Sequence, residues 1–195
     1  MGDRLNQWLG KTRFVVSRVF IHLSGSGATP LLGILNPVCQ RAIAADGDLD
    51  ALGEGLVEVC QGAIEYRDYW RSVTNEGDVF WDEGEAGDCF NTWFVDAAGR
   101  YLSQPSEADE TDTPMTPNPT EHLVVMLAFA YEGESLDLET DLADFEALQA
   151  GLKALMTLHY NQQLRAIQVH FSPARFGDTL TADDVLEHYP ELVPI

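Results

Sequence analysis

The residues able to do chemistry are few and scattered. His22 and His170 stand on the polar faces of two alternating segments, Phe14–Leu23 (FVVSRVFIHL) and Leu164–Phe171 (LRAIQVHF). If those faces align, Arg18, His22, Gln168 and His170 share one side of a sheet. Such a face would suit a small polar ligand, or the acid–base work of a small enzyme. His122, His159 and His188 complete no HExxH motif and no other close metal pair.

Other spacings fall short of a chemical motif. Asp46, Asp48 and Asp50 have the odd-position spacing of a calcium loop, but the sixth and twelfth positions are Ala51 and Val57 instead of Gly and Glu. Turn and capping roles fit them better. Gly25 and Gly27 precede a helix-like segment, yet Pro30 holds the sixth position and no Lys-Ser or Lys-Thr pair follows. Neither the dinucleotide fingerprint nor the P-loop is met. Cys39, Cys60 and Cys89 contain no CxxC pair and read as buried free thiols of a reducing compartment. There is no GxSxG elbow, and no cysteine has a histidine nearby in sequence. No catalytic, metal-binding or cofactor-binding residue is assigned, and no cofactor is expected.

The elements that must position these groups follow from periodicity. Phe14–Leu23 alternates with period two and reads as a half-covered strand, with Val15, Val19, Ile21 and Leu23 on its apolar face. Thr29–Ala45 reads as a helix with Thr29 as N-cap, Pro30 in the first turn and a kink at Pro37. Leu52, Leu56, Val59, Cys60, Ala63 and Ile64 form a helical stripe that ends near 65–70 or bends on toward Val73. A further helix is expected over 79–102. His122–Tyr131 is apolar on both faces and reads as a central buried strand. A helix over 142–162, the strand Leu164–Phe171 and a short helix capped by Thr181 complete the order. The expectation is an α+β domain with a small three-stranded sheet. Strand 123–131 lies at its centre, flanked by 14–23 and 164–171 and packed against several helices. Its last strand–helix–strand unit is expected to be a right-handed parallel crossover. Near the C-terminus, Gly177 and Asp178 are expected to form a turn. Tyr189, Leu192 and Leu186 are expected to fold back onto the core.

Composition bounds the partners. The chain has 195 residues, 32 acids against 11 Lys and Arg, and a formal net charge of −21. That excludes nucleic acid as a main partner, since each phosphate contact needs a local cation. Residues 1–13 read as a basic arm, in which Arg4, Trp8, Lys11 and Arg13 are candidates for docking. Residues 14–195 read as one domain, carrying a mobile Pro- and acid-rich loop at 103–120. The longest apolar run, Leu123–Tyr131, is far short of the ~20 residues of a membrane helix. A cytoplasmic location is the expectation.

Three segments together carry a family likeness. They are Gly55–Trp70 (GLVEVCQGAIEYRDYW), His122–Tyr131 (HLVVMLAFAY), and Ala166–Leu192, which holds Gly-Asp-Thr-Leu, a short acidic helix and Tyr-Pro-x-Leu. With these the chain resembles the domain-of-unknown-function family 1517 of cyanobacteria and chloroplasts. A chloroplast relative is implicated in adjusting thylakoid photoprotection. The resemblance implies a non-catalytic accessory or regulatory module near photosynthetic membranes, with a protein partner and scope for peripheral membrane association. It carries over no catalytic residues. The rival readings are a ligand binder or enzyme on the His22 and His170 face, and a homodimer joined through a sheet edge.

Overall fold

In a computed structural model of the chain, residues 6, 10–100, 120–174 and 178–195 are described. Five strands form one antiparallel sheet among them. They are β1 (Phe14–Ser24), β2 (Trp70–Phe80), β3 (His122–Glu132), β4 (Leu164–Ser172) and the two-residue β5 (Val193–Pro194). Their order across the sheet is β4-β3-β1-β2-β5. β3 is flanked by β1 and β4, as its two apolar faces require. The sheet is nevertheless five strands wide, not three. The additional long strand, β2, buries only Trp70 and Val73 and so leaves a weak alternating signal.

β4 runs antiparallel to β3, so the expected parallel crossover does not form. The reason lies in the stretch 133–144. It carries the chain along the sheet before the helix begins, held midway where Asn75 Nδ2 donates to the Thr140 carbonyl at 2.9 Å. Asn75 Oδ1 in turn accepts from the Leu142 amide at 2.9 Å. The helix then starts with Phe145 stacked on Trp70. It returns the chain to the end it had left, where Leu164 pairs with Tyr131.

Five α-helices are described: α1 (Leu32–Ala44), α2 (Leu49–Glu65), α3 (Glu83–Arg100), α4 (Phe145–Tyr160) and α5 (Ala182–His188). Asp48 caps α2, its side chain accepting from the amides of Asp50 and Ala51 at 3.0 Å. Thr181 caps α5 in a reciprocal box with Asp184. Thr29 does not cap α1. Its hydroxyl donates to the Thr120 carbonyl at 3.1 Å, and Ser26–Leu31 form a 3-10 turn before α1 opens at Leu32. α1 runs through Pro37. Pro37 withholds one backbone donor near the start of α1, while the Asn36 side chain donates to the neighbouring Leu32 carbonyl at 3.0 Å. The helix expected over 79–102 begins only at Glu83, since Val79 and Phe80 belong to β2. The loop expected at 103–120 lies outside the described residues except for Thr120, and so does Gly177 of the expected turn.

Both faces of the sheet are covered, which corrects the half-covered reading of β1. On one face Val19, Ile21, Leu127 and Phe129 meet residues of α1, α2 and α4, including Leu35, Leu56 and Leu152. On the other, Phe20, Val124 and Met126 meet Ala97 of α3, Val185 of α5 and Tyr189. Tyr189 is buried and Leu192 packs on the same cluster, but Leu186 points to solvent. α5 presents Val185 inward, and the next position along so short a helix is turned away. Only Cys60 of the three cysteines is fully buried, because Cys39 and Cys89 sit on half-covered helix flanks. Burial pushes the Cys60 thiol up to about 12, which leaves it unreactive.

Candidate functional site

Arg18, His22, Gln168 and His170 do lie on one side of the sheet. Arg18 pairs across β3 through Ala128 to Gln168, and His170 through Met126 to Phe20. The four fall into three separate networks beneath α3 and α5. Arg18 reaches Glu76 of β2 and Asp96 of α3, the latter at 2.5 Å, and its guanidinium lies over the rings of Phe20 and Trp93. Arg100 packs over the same Phe20 ring and shares Asp96 at 3.1 Å. These contacts tie α3 to the sheet. Burial opposes the Arg18 charge, but its two carboxylate partners outweigh it and raise its pKa. Gln168 contacts His170, whose ring meets Phe94 edge-on. Burial lowers the His170 pKa.

His22 forms a network that the sequence reading does not contain. Its Nδ1 lies 2.9 Å from Ser72 Oγ, and its Nε2 lies 3.0 Å from His122 Nδ1. The two ring planes are inclined by only 21° with centroids 5.2 Å apart. With ring nitrogens in contact, the imidazoles therefore meet edge to edge. Burial first, then His122 and Arg71, lower the His22 pKa to about 4. Ser72 was hidden because it sits on the unrecognised β2, and His122 because nothing in sequence ties it to His22.

Most of the arm lies outside the described residues. Arg4 and Trp8 lie outside the described residues, and Lys11 is exposed. Arg13 turns onto the body and donates to the Gly133 carbonyl at 2.5 Å and to Glu139. Burial would raise the Glu139 pKa, but hydrogen bonds from Arg13, the Ser135 amide and Tyr131 bring it below the ordinary value.

The two outer edges of the sheet differ. β5 covers β2 only at Ser72 and Val73, and the rest of that edge carries Glu76, Gly77 and Asp78. Charges of this kind deter strand pairing. β4 has no partner on its outer side among the described residues, and from Ala166 to Ser172 it carries no acid, Lys or Arg. Beside it lies a groove of about 240 Å³, bounded by Val38, Ala42 and Ile43 of α1, Leu52 of α2, and Ile167 and Val169 of β4. α1 packs chiefly against α2, and Val38, Ala42 and Ile43 of α1 face Ile167 and Val169 of β4 across the groove. A second cleft of about 590 Å³ lies under residues 138–141. There the side chains of Asn75, Glu139 and Asp141 are already engaged in holding the chain at 133–144. Neither the groove nor the cleft is lined by His22 or Ser72.

The family described as a protein of unknown function, DUF1517, matches residues 13–195. The chain belongs to the DUF1517 family. No curated protein and no solved structure matches it. The match begins at Arg13, so the DUF1517 region takes in the whole sheet, the β4 edge and the groove. Among its described residues no helix of this DUF1517 protein is long and apolar enough to cross a membrane. No group of three or more metal-ligating side chains occurs among them either.

Proposed function

We propose that this DUF1517 protein is a non-catalytic accessory module that binds another protein by extending its sheet along β4. The observation that supports it is the contrast between the two edges. One is guarded by Glu76 and Asp78. The other carries no charge from Ala166 to Ser172, its one cation, Arg165, being paired with Glu132 at the strand's start, and is bordered by an apolar groove. An extended segment added to such an edge gains main-chain hydrogen bonds, and pockets for alternate side chains give selectivity. The family likeness supports a place beside photosynthetic membranes, as a peripheral protein, and cell fractionation tests that part.

The test compares the wild-type chain with an Ile43→Glu/Val169→Lys variant as immobilised bait in native extract. Ile43 is 77% exposed, so the first change leaves the fold in place. Equal melting temperatures check the pair together. The expected result is a set of proteins retained by the wild type and lost by the variant. An identical set on both baits overturns the reading.

A second reading keeps one observation of its own. The Ser72–His22–His122 chain of contacts is the arrangement through which a proton moves between a hydroxyl and two imidazoles. A small ligand on the His22 and His170 face would perturb the imidazole signals of His22 in a titration followed by NMR.

A further inference from the structure

The partner's chemistry can be taken further than its existence. We infer that the segment received at β4 is an extended stretch of a separate protein, with alternate apolar side chains and basic residues at one flank. This rests on the reading of β4 as the binding edge.

The backbone sets the extended form. β4 spans nine residues, about 30 Å of strand, and its outer side has no partner strand among the described residues. The helical layer sets the apolar alternation. Ile167 and Val169 line the groove with residues of α1 and α2, and both are only half-buried, with no strand beyond them among the described residues. A strand added there would turn every second side chain under α1, into the groove between Val38, Ala42 and Leu52. The opposite side chains would face away from that groove, so only one face of the segment needs to be apolar.

Charge sets the flank. α1 and α2 both line the groove, and the turn that joins them runs between two of its lining residues, Ile43 and Leu52. Asp46, Asp48 and Asp50 lie there, while the groove walls contain no acid. Asp48 spends one carboxylate oxygen on capping α2. The nearest cation in sequence, Arg41, is taken up by Glu58. A basic residue just beyond the apolar stretch meets these acids. The formal charge of −21 works in the same direction and against a second copy, since two such bodies repel.

Two synthetic nonapeptides with one Val-Thr alternating core test this, one ending in Lys-Lys and the other in Glu-Glu. Affinity is read by fluorescence anisotropy on the full chain, and location by amide hydrogen exchange. Support is binding of the Lys-Lys peptide at least tenfold tighter than the Glu-Glu peptide, with slowed exchange over 165–172. Asp46→Asn/Asp50→Asn should shrink that ratio, and Ile43→Glu should weaken both peptides. Equal affinity with β4 protected overturns the basic flank and leaves the β4 edge standing. Protection elsewhere, or no binding at all, overturns both. A dimer in sedimentation that Ile43→Glu dissociates makes a second copy the occupant. Faster β4 exchange after removal of residues 1–12 makes the chain's own arm the occupant. Either result overturns the inference.

Discussion

His22 Nε2 and His122 Nδ1 face each other at 3.0 Å, edge to edge in nearly one plane. One proton between the two nitrogens makes a good hydrogen bond, and two protons facing each other repel. With Ser72 on its remaining nitrogen, His22 is held neutral by the fold.

That relationship has a sign in pH. The folded His22 titrates near 4 against an ordinary value of 6.5. Below 6.5 the unfolded chain takes up a proton that the folded chain refuses. The contribution of His22 is thus complete above pH 6.5 and is lost progressively as pH falls to about 4. At ~1.4 kcal/mol per pKa unit it amounts to on the order of 3 kcal/mol. Urea unfolding of the wild type and His22→Gln at pH 7, 5.5 and 4 isolates it. The gap between the two proteins should narrow toward pH 4. Parallel curves would sink the assignment.

Arg18 works more through its stem and plane than through its charge. Its partners Glu76 and Asp96 are 51% and 40% exposed, so water screens both ion pairs. Its guanidinium covers Phe20 and Trp93 within 5.3 Å of each centroid. Arg18→Ala should cost about 1–2 kcal/mol, chiefly as lost packing. Raising salt from low to molar concentration should change that cost little. A cost that vanishes in salt would show the ion pairs to be the larger part.

Tyr189 seals the α3 and α5 side of the sheet. It is 2% exposed and meets Phe20 at right angles with centroids 6.4 Å apart. Tyr189→Ala should lower stability by about 3 kcal/mol, in the range for truncating a buried aromatic ring. Tyr189→Phe keeps the ring and should cost less than about 1.5 kcal/mol. Leu186→Ala, at an exposed position, should be close to neutral. Thermal melts of the three variants check the order, and equal losses for Tyr189→Ala and Leu186→Ala would refute it.

What could be read from the residues depended on how strongly burial patterned them. β1 and β3 were legible because each buries apolar side chains along most of its length, and β4 because Ile167, Val169 and Phe171 alternate with Gln168 and His170. The Thr181 cap was legible because capping is local. β2 was not, since Asn75, Gly77 and Asp78 are poor strand formers held there by pairing with β1. That omission hid Ser72 from His22 and left the two-residue β5 nothing to pair with, so a five-stranded antiparallel sheet read as three strands. The shared side of Arg18, His22, Gln168 and His170 followed from parity along the strands. Its cover did not, because where α3 packs is decided by tertiary contacts. The groove between α1 and β4 is of the same kind and leaves no mark in the periodicity of either segment.

The middle strand of the five is also the first to be synthesised. β1 ends at Ser24, but its neighbours β2 and β3 are complete only at Phe80 and Glu132. At ~5–20 residues per second, β1 waits roughly 5–20 s for β3 to be made. For that interval its apolar residues, from Phe14 to Leu23, lack at least one neighbouring strand of the finished sheet. Pairings this distant along the chain make folding slow. The newborn chain thus presents that segment to whatever surrounds it until the sheet can close around it.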